Sequence, residues 1–123
     1  MVNNDLQIKI GNKFKPFIIA EISANHKKSI DRVFKMIDEA KKANASAIKL
    51  QSYKADTITL NVKNKNFYIK EKKSLWRNRY LFDLYKEGET PWSWTKEIFR
   101  YAKKKKIICF STPFDSTAVD MLE

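Results

Sequence analysis

Residues 17–51, FIIAEISANHKKSIDRVFKMIDEAKKANASAIKLQ, hold the pattern that decides the fold. The run Phe17-Ile18-Ile19-Ala20-Glu21-Ile22 is apolar except for Glu21 and is bounded by Pro16 and by Ser23-Ala24-Asn25. Such a run predicts a strand buried on both faces. Over residues 29–43 the period changes. Ile30, Val33, Phe34, Ile37 and Ala40 recur at three- and four-residue intervals, with Asp31, Lys35, Glu39 and Lys42 on the other side, which predicts an amphipathic helix. Ser29 stands where an N-cap is needed, and Asn44 where a left-handed residue closes the helix. A second buried strand, Ala47-Ile48-Lys49-Leu50-Gln51, follows within a few residues. Strand, helix and strand with short connections make a βαβ unit, whose strands run parallel.

Upstream, Leu6 to Ile10 and Phe14 to Phe17 flank Gly11-Asn12, the pattern of a small hairpin. Downstream, residues 52–75 are polar and rich in Lys and Asn, with a fragment of apolar pattern around Phe67-Tyr68-Ile69. Long segments of this kind in compact domains are usually functional or disordered. Trp76, Tyr80, Leu81, Leu84 and Tyr85 then trace a helical face that stops near Gly88. Thr90-Pro91 predicts the start of another helix, Thr as cap and Pro in first position, carrying Trp94, Ile98, Tyr101 and Ala102 inward. A third strand is expected over Ile107 to Ser111, and Asp115 caps a last helix over Ser116 to Leu122. This alternation specifies an α/β domain with a parallel sheet. A doubly wound sheet and a (β/α)8 barrel both start this way. Neither is complete with three core strands, and a barrel normally takes roughly 250 residues. The 123 residues therefore read as part of a larger unit.

With 43% hydrophobic and 13% aromatic residues, the chain can build a core, which excludes disorder of the whole. Twenty-five Lys and Arg against fourteen Asp and Glu give a formal charge of +11, which raises the alternative of a non-catalytic polyanion-binding module. The lysines are spread over several predicted elements, among them Lys27, Lys28, Lys41, Lys42 and the run Lys103 to Lys106. That is the distribution of solvated helix faces and loops, and no nucleic acid partner is expected. Cys109 is the only cysteine and lies in the apolar run 107–110, so it reads as a buried, inert thiol. There is no leader-like N-terminus and no run of membrane-spanning length, so no membrane partner and a cytoplasmic location are expected. Gly occurs only at Gly11 and Gly88, and no HxxxH, HExxH or CxxC is present. Nucleotide binding through a glycine-rich loop is disfavoured.

The chemistry lies where polar residues fall on apolar strands. Glu21 ends the first strand, Lys49 and Gln51 the second, Ser111 and Thr112 the third. Alternation puts Phe17, Ile19 and Glu21 on one face and likewise Ala47, Lys49 and Gln51, with Ile48 and Leu50 toward the helices. Parallel strands present their C-terminal ends on one side, where α/β proteins bind ligands. A lysine ending a buried strand needs an anion. That anion is either Glu21, as an ion pair, or a phosphate or carboxylate of a substrate whose hydroxyls Glu21 and Gln51 read. The two readings are compatible if the pair opens on binding. His26, the only histidine, follows Asn25 in a loop at the same rim. A lone histidine is more often a hydrogen-bonded structural residue than a metal ligand.

Residues 19–26, IAEISANH, together with 47–51, AIKLQ, and 111–115, STPFD, resemble the sialic acid synthase family in content and order. Thr59-Leu60-Asn61, Leu75-Trp76, Leu81-Phe82-Asp83-Leu84-Tyr85 and Thr90-Pro91-Trp92-Ser93-Trp94 are similar to its pseudaminic acid branch more than to the N-acetylneuraminate or legionaminate branches. The resemblance runs from Ile8 onward. It implies a (β/α)8 TIM barrel of which residues 1–123 are the N-terminal part, the remaining strands and a small C-terminal antifreeze-like domain lying outside them, in a homodimer. It also implies condensation of phosphoenolpyruvate with 2,4-diacetamido-2,4,6-trideoxy-altrose, releasing phosphate, with help from a divalent metal, Mn2+ or Mg2+. By position, Lys49, Ser111 and Thr112 would bind phosphoenolpyruvate, Glu21 and Gln51 the sugar, and Asn25 and His26 would shape the site, with Glu21 and Lys49 the catalytic pair. The metal ligands would come from later strands, and 123 residues alone would not complete the site. The segment from Ser52 to Leu75 would sit over the rim as a lid or specificity segment. Lys28 and Asn44 stand where the family often has Gly, and Ser46 where it often has Asp, all in turns.

Overall fold

The computed structural model describes residues 8–123. Three strands, β1 (Ile19–Glu21), β2 (Ala47–Ser52) and β3 (Ile108–Pro113), form a parallel sheet in the order β1-β2-β3. The helices are α1 (Ile30–Lys42), α2 (Ala55–Ile58), α3 (Leu81–Gly88), α4 (Thr95–Lys104) and α5 (Ser116–Leu122), with 3-10 turns over Lys65–Phe67 and Trp92–Trp94. The βαβ unit therefore forms where the periodicity predicts it. Ile48 and Leu50 face the helices and pack with Val33 and Ile37 of α1 and Ile98 and Ala102 of α4, closed off by Ile22 and Ile107. The register aligns Glu21 with Lys49, Lys49 with Phe110 and Gln51 with Thr112, so these side chains share the face turned away from the helices.

The ends of α1 are the expected ones. The Ser29 hydroxyl accepts the Arg32 N–H at 3.3 Å. Asn44 takes φ 61°, the Ala45 N–H donates to the Ala40 carbonyl at 3.0 Å and the Asn44 N–H to the Lys41 carbonyl at 3.1 Å. This is a Schellman closure. α4 ends in the same way: Lys106 has φ 54°, the Ile107 N–H reaches the Ala102 carbonyl at 3.1 Å and the Lys106 N–H the Lys103 carbonyl at 3.0 Å. A lysine Cβ in that conformation is strained, whereas the Lys41 ammonium is held by the Lys106 carbonyl, which any residue supplies. Lys106→Gly is expected to stabilise the fold by about 0.5–1 kcal/mol, read as a higher midpoint of urea unfolding.

Four expectations change. β1 is shorter than residues 17–22 and is not buried on both faces, Ile19 being 45% exposed. It lies at the edge of the sheet, and only its Ala20 side reaches the helical layer. For the hairpin, Leu6 lies outside the described residues, and residues 8–17 contain a turn, Phe14 N–H to Gly11 carbonyl at 3.0 Å, but no strand. The helix expected from Trp76 begins at Leu81. The Ile69 N–H donates to the Arg79 carbonyl and the Asn78 N–H to the Ile69 carbonyl, both at 2.9 Å, and Tyr68 bridges Tyr80. Backbone committed to that pairing cannot be helical, and residues 68–80 form an arm that leaves Leu75 and Trp76 exposed. Finally, Thr90 does not cap α4, which starts at Thr95 after the 3-10 turn. Its hydroxyl is engaged by His26 instead.

Candidate functional site

The odd-numbered residues of β2 form one row on the open face of the sheet: Ala47, Lys49 and Gln51, with Tyr53 continuing it past the strand end. The Lys49 ammonium lies 2.7 Å from a Glu21 carboxylate oxygen, each side chain being about one-third exposed (34% and 40%). Strand register makes this pair, since Glu21 and Lys49 are direct neighbours across β1 and β2. Ser23 takes φ 49° just past β1, and this sharp turn brings its hydroxyl to the Gln51 side-chain carbonyl at 2.6 Å. The Gln51 NH2 is left to donate elsewhere. Thr112 stands beside Gln51 in register, and its hydroxyl has no hydrogen-bond partner among the described residues. A carboxylate, an ammonium, an amide and a hydroxyl thus meet at the C-terminal rim.

Ser111 does not join them. It aligns with Leu50 on the opposite face, toward the helices, and its hydroxyl pairs with that of Ser52 at 2.7 Å. Alternation along β3 separates it from Thr112, so the structure does not bring Ser111 into the row with Lys49 and Gln51.

Asn25 is exposed and its side-chain NH2 donates to the Ile22 carbonyl at 3.1 Å, holding the turn after β1. His26 is fully buried. Its Nδ1 accepts the Lys28 N–H at 3.1 Å, so Nε2 carries the proton and donates to the Thr90 hydroxyl, also at 3.1 Å. Its ring meets Trp94 edge-on at 5.7 Å. With both nitrogens engaged and no exposed surface, His26 ties the β1–α1 loop to the start of the α4 region. This is the hydrogen-bonded structural arrangement that a lone histidine most often takes.

Burial holds the His26 pKa below the ordinary 6.5, Lys28 adds to this and the Gly88 backbone opposes it. The folded state keeps His26 neutral while the unfolded chain takes up a proton near pH 6.5. Stability contributed here is thus full above pH 6.5 and is lost as pH falls from there toward the folded pKa. The carboxylates held below their usual range, Asp38, Glu87, Glu89 and Asp115, titrate lower still. Between pH 7.5 and 5.5 the urea midpoint should therefore fall, and in His26→Gln, less stable throughout, that slope should be absent.

Above the rim, α2, the arm and α3 leave a cleft of about 810 Å3. Ser23, Gln51 and Tyr53 line it from the strand ends, Trp76 and Arg79 from the arm, and Tyr85 from α3. An Arg79–Glu87 ion pair at 2.5 Å ties the arm to α3 and is the first cause of the lowered Glu87 pKa. Lys27 and Arg32 also face the cleft, so its polar wall carries more positive than negative charge. Gln51 is common to the cleft and to the row below, where Lys49, Glu21 and Thr112 lie one layer deeper. Cys109 is the inert thiol expected, burial pushing its pKa up to about 12. Tyr53 escaped sequence reasoning, although continuing the alternation two residues past Gln51 finds it. Arg79 gave no signal, hidden among the cations of residues 70–79.

Among the described residues no group of three or more His, Cys, Asp or Glu side chains is placed to hold a metal ion. With both nitrogens of His26 already used, these residues do not fit a metal centre by themselves. No helix among them is long and apolar enough to cross a membrane.

Residues 36–123 match the NeuB family. The chain belongs to that family. It is 46% identical over 109 residues to the pseudaminic acid synthase of Campylobacter jejuni subsp. jejuni serotype O:2, covering 89% of this chain and 31% of that protein. It is 37% identical over 108 residues to the pseudaminic acid synthase of Helicobacter pylori, covering 88% and 31% respectively. Among solved structures it is similar to the N-acetylneuraminic acid (sialic acid) synthetase of Leptospira borgpetersenii serovar Hardjo-bovis, in complex with citrate. The TM-score is 0.70 at 31% identity, over 94% of this chain and 36% of that one. The chain thus spans about 31% of the length of these curated relatives. Its parallel three-stranded α/β unit is similar in fold to the matched part of that synthetase.

Proposed function

We propose that residues 8–123 are the opening part of the (β/α)8 barrel of a pseudaminic acid synthase, which condenses phosphoenolpyruvate and water with 2,4-diacetamido-2,4,6-trideoxy-altrose and releases phosphate by C–O cleavage. The bridging oxygen leaves with phosphate, and water supplies the oxygen that replaces it. The observation that carries the reading is the convergence of Glu21, Lys49, Gln51 and Thr112 on one face at the C-terminal rim, in a chain 46% and 37% identical to two pseudaminic acid synthases. Lys49 exchanges Glu21 for the phosphoenolpyruvate anion. A pair this open is worth about 1 kcal/mol or less, so a dianion displaces the carboxylate at little cost. The freed Glu21 then accepts from a sugar hydroxyl. The Thr112 hydroxyl donates to the same anion, and Gln51, held by Ser23, turns its NH2 to the sugar. Fixing the two reactants side by side removes much of the entropic barrier to their union.

In this reading the enzyme is a cytoplasmic homodimer with further strands, and a divalent metal, Mn2+ or Mg2+, is held by residues outside this chain. No step here is routed through that metal. The experiment is phosphate release by the full-length protein carrying this segment, offered phosphoenolpyruvate with each of three amino sugars. The diacetamido altrose should exceed the N-acetylneuraminate and legionaminate precursors by at least about 10-fold in kcat/KM. A folded protein releasing phosphate with none of them would overturn the reading, and preference for another sugar would move it to that branch.

A further inference from the structure

We propose that Tyr53 is a specificity-determining residue of the cleft, its hydroxyl donating a hydrogen bond to the carbonyl of an acetamido group on the sugar. The proposal rests on the reading above that the cleft receives an amino sugar. Tyr53 is 4% exposed, and its ring is fixed edge-on against Tyr85 at 6.2 Å and Phe114 at 5.6 Å. Yet its hydroxyl has no hydrogen-bond partner among the described residues, while the side chain lines the cleft. A hydroxyl that lines a cleft without a partner inside the chain is one that a ligand can satisfy.

The room for that hydroxyl comes from Gly88. A Cβ there would lie 2.6 Å from the Tyr53 oxygen and 3.0 Å from Ala24 Cβ. The phenol is a donor, since burial pushes its pKa up to about 12, with Glu89 and Tyr85 adding to the effect. Tyr85 and Phe114 stand against its ring, and Ile58 and Leu84 add apolar surface to the same cleft. One donor set in an apolar wall matches a carbonyl oxygen beside a methyl group, which is an acetamido group. It fits a bare hydroxyl or an ammonium poorly, because either would meet the wall without its remaining partners. The alternation of β2 puts Tyr53 about 13 Å along the row from Lys49. A ligand with its anionic end at Lys49 therefore meets Tyr53 with its far substituents.

The test is Tyr53→Phe in the full-length protein, a change that removes only an oxygen with no internal partner and should leave thermal unfolding unchanged. KM for the diacetamido sugar is expected to rise about 3- to 10-fold with KM for phosphoenolpyruvate unaltered. With the two analogues that each lack one acetamido group, the variant should lose affinity for one and match the parent protein on the other. An unchanged sugar KM, or an equal loss with phosphoenolpyruvate and both analogues, would overturn the assignment of Tyr53. Absence of phosphate release by the unsubstituted protein would instead remove the synthase reading, and this proposal with it.

Discussion

Lys49→Ala in the full-length protein is expected to lower kcat/KM for phosphoenolpyruvate by at least about 100-fold while changing stability little. Lys49 is the ammonium on the open face of the central strand, and its partner Glu21 lies on a neighbouring strand at 2.7 Å. Losing it leaves a carboxylate that is 40% exposed and can rehydrate, so the folded state is not left with a buried unpaired charge. The anion, in contrast, loses its cation and meets Glu21 unopposed. Lys104→Ala, on the outer surface of α4, provides the comparison and should leave turnover unchanged. A polyanion-binding module would behave in the opposite way: surface lysines would carry the affinity, which would fall steeply with salt, and Lys49 would not matter. Steady-state kinetics of the two variants, with salt-dependent binding of a polyanion, decide between them.

Ile48→Ala is expected to destabilise the fold by about 2–5 kcal/mol, a large part of the 5–15 kcal/mol that holds a typical domain. Ile48 is fully buried in the central strand, with Ala20 and Cys109 beside it in register and α1 and α4 above it. Its removal leaves a void that Val33, Ile37, Ile98 and Ala102 cannot fill without moving the helices. The same strand carries Lys49 and Gln51 on its other face, so slack at Ile48 loosens the site. Ile48→Val should cost only about 0.5–1.5 kcal/mol. Urea unfolding of both variants checks this; a loss under about 1 kcal/mol for Ile48→Ala would mean that β2 is not the centre of the core.

What could be read from residues alone divides along physical lines. α1, β2 and the alternation on β2 were legible because their periods differ sharply and the caps Ser29 and Asn44 are local chemistry. The site row was legible for the same reason: Lys49 and Gln51 share a parity, and parallel strands align their C-terminal ends. Ser111 and Thr112 are adjacent at the strand end, yet alternation sends them to opposite faces, and only Thr112 joins the row. The position of His26 after β1 places it at the rim but does not name its partners. Only the fold reveals that Thr90, sixty-four residues away, takes its second nitrogen. The arm over residues 68–80 was illegible because backbone pairing between Ile69 and Arg79 holds it, with little side-chain pattern. The edge position of β1 follows from strand order, which no local run of apolar residues encodes.

The central claim is that these residues supply the phosphoenolpyruvate and sugar contacts of a synthase barrel. It is tested most directly by a chimera in which residues 8–123 replace the matching segment of the Campylobacter jejuni pseudaminic acid synthase, followed by assay of phosphate release. The account predicts a folded chimera that consumes phosphoenolpyruvate only when the amino sugar is present and that falls silent on Lys49→Ala. A folded chimera that releases no phosphate, or one indifferent to Lys49→Ala, would contradict it.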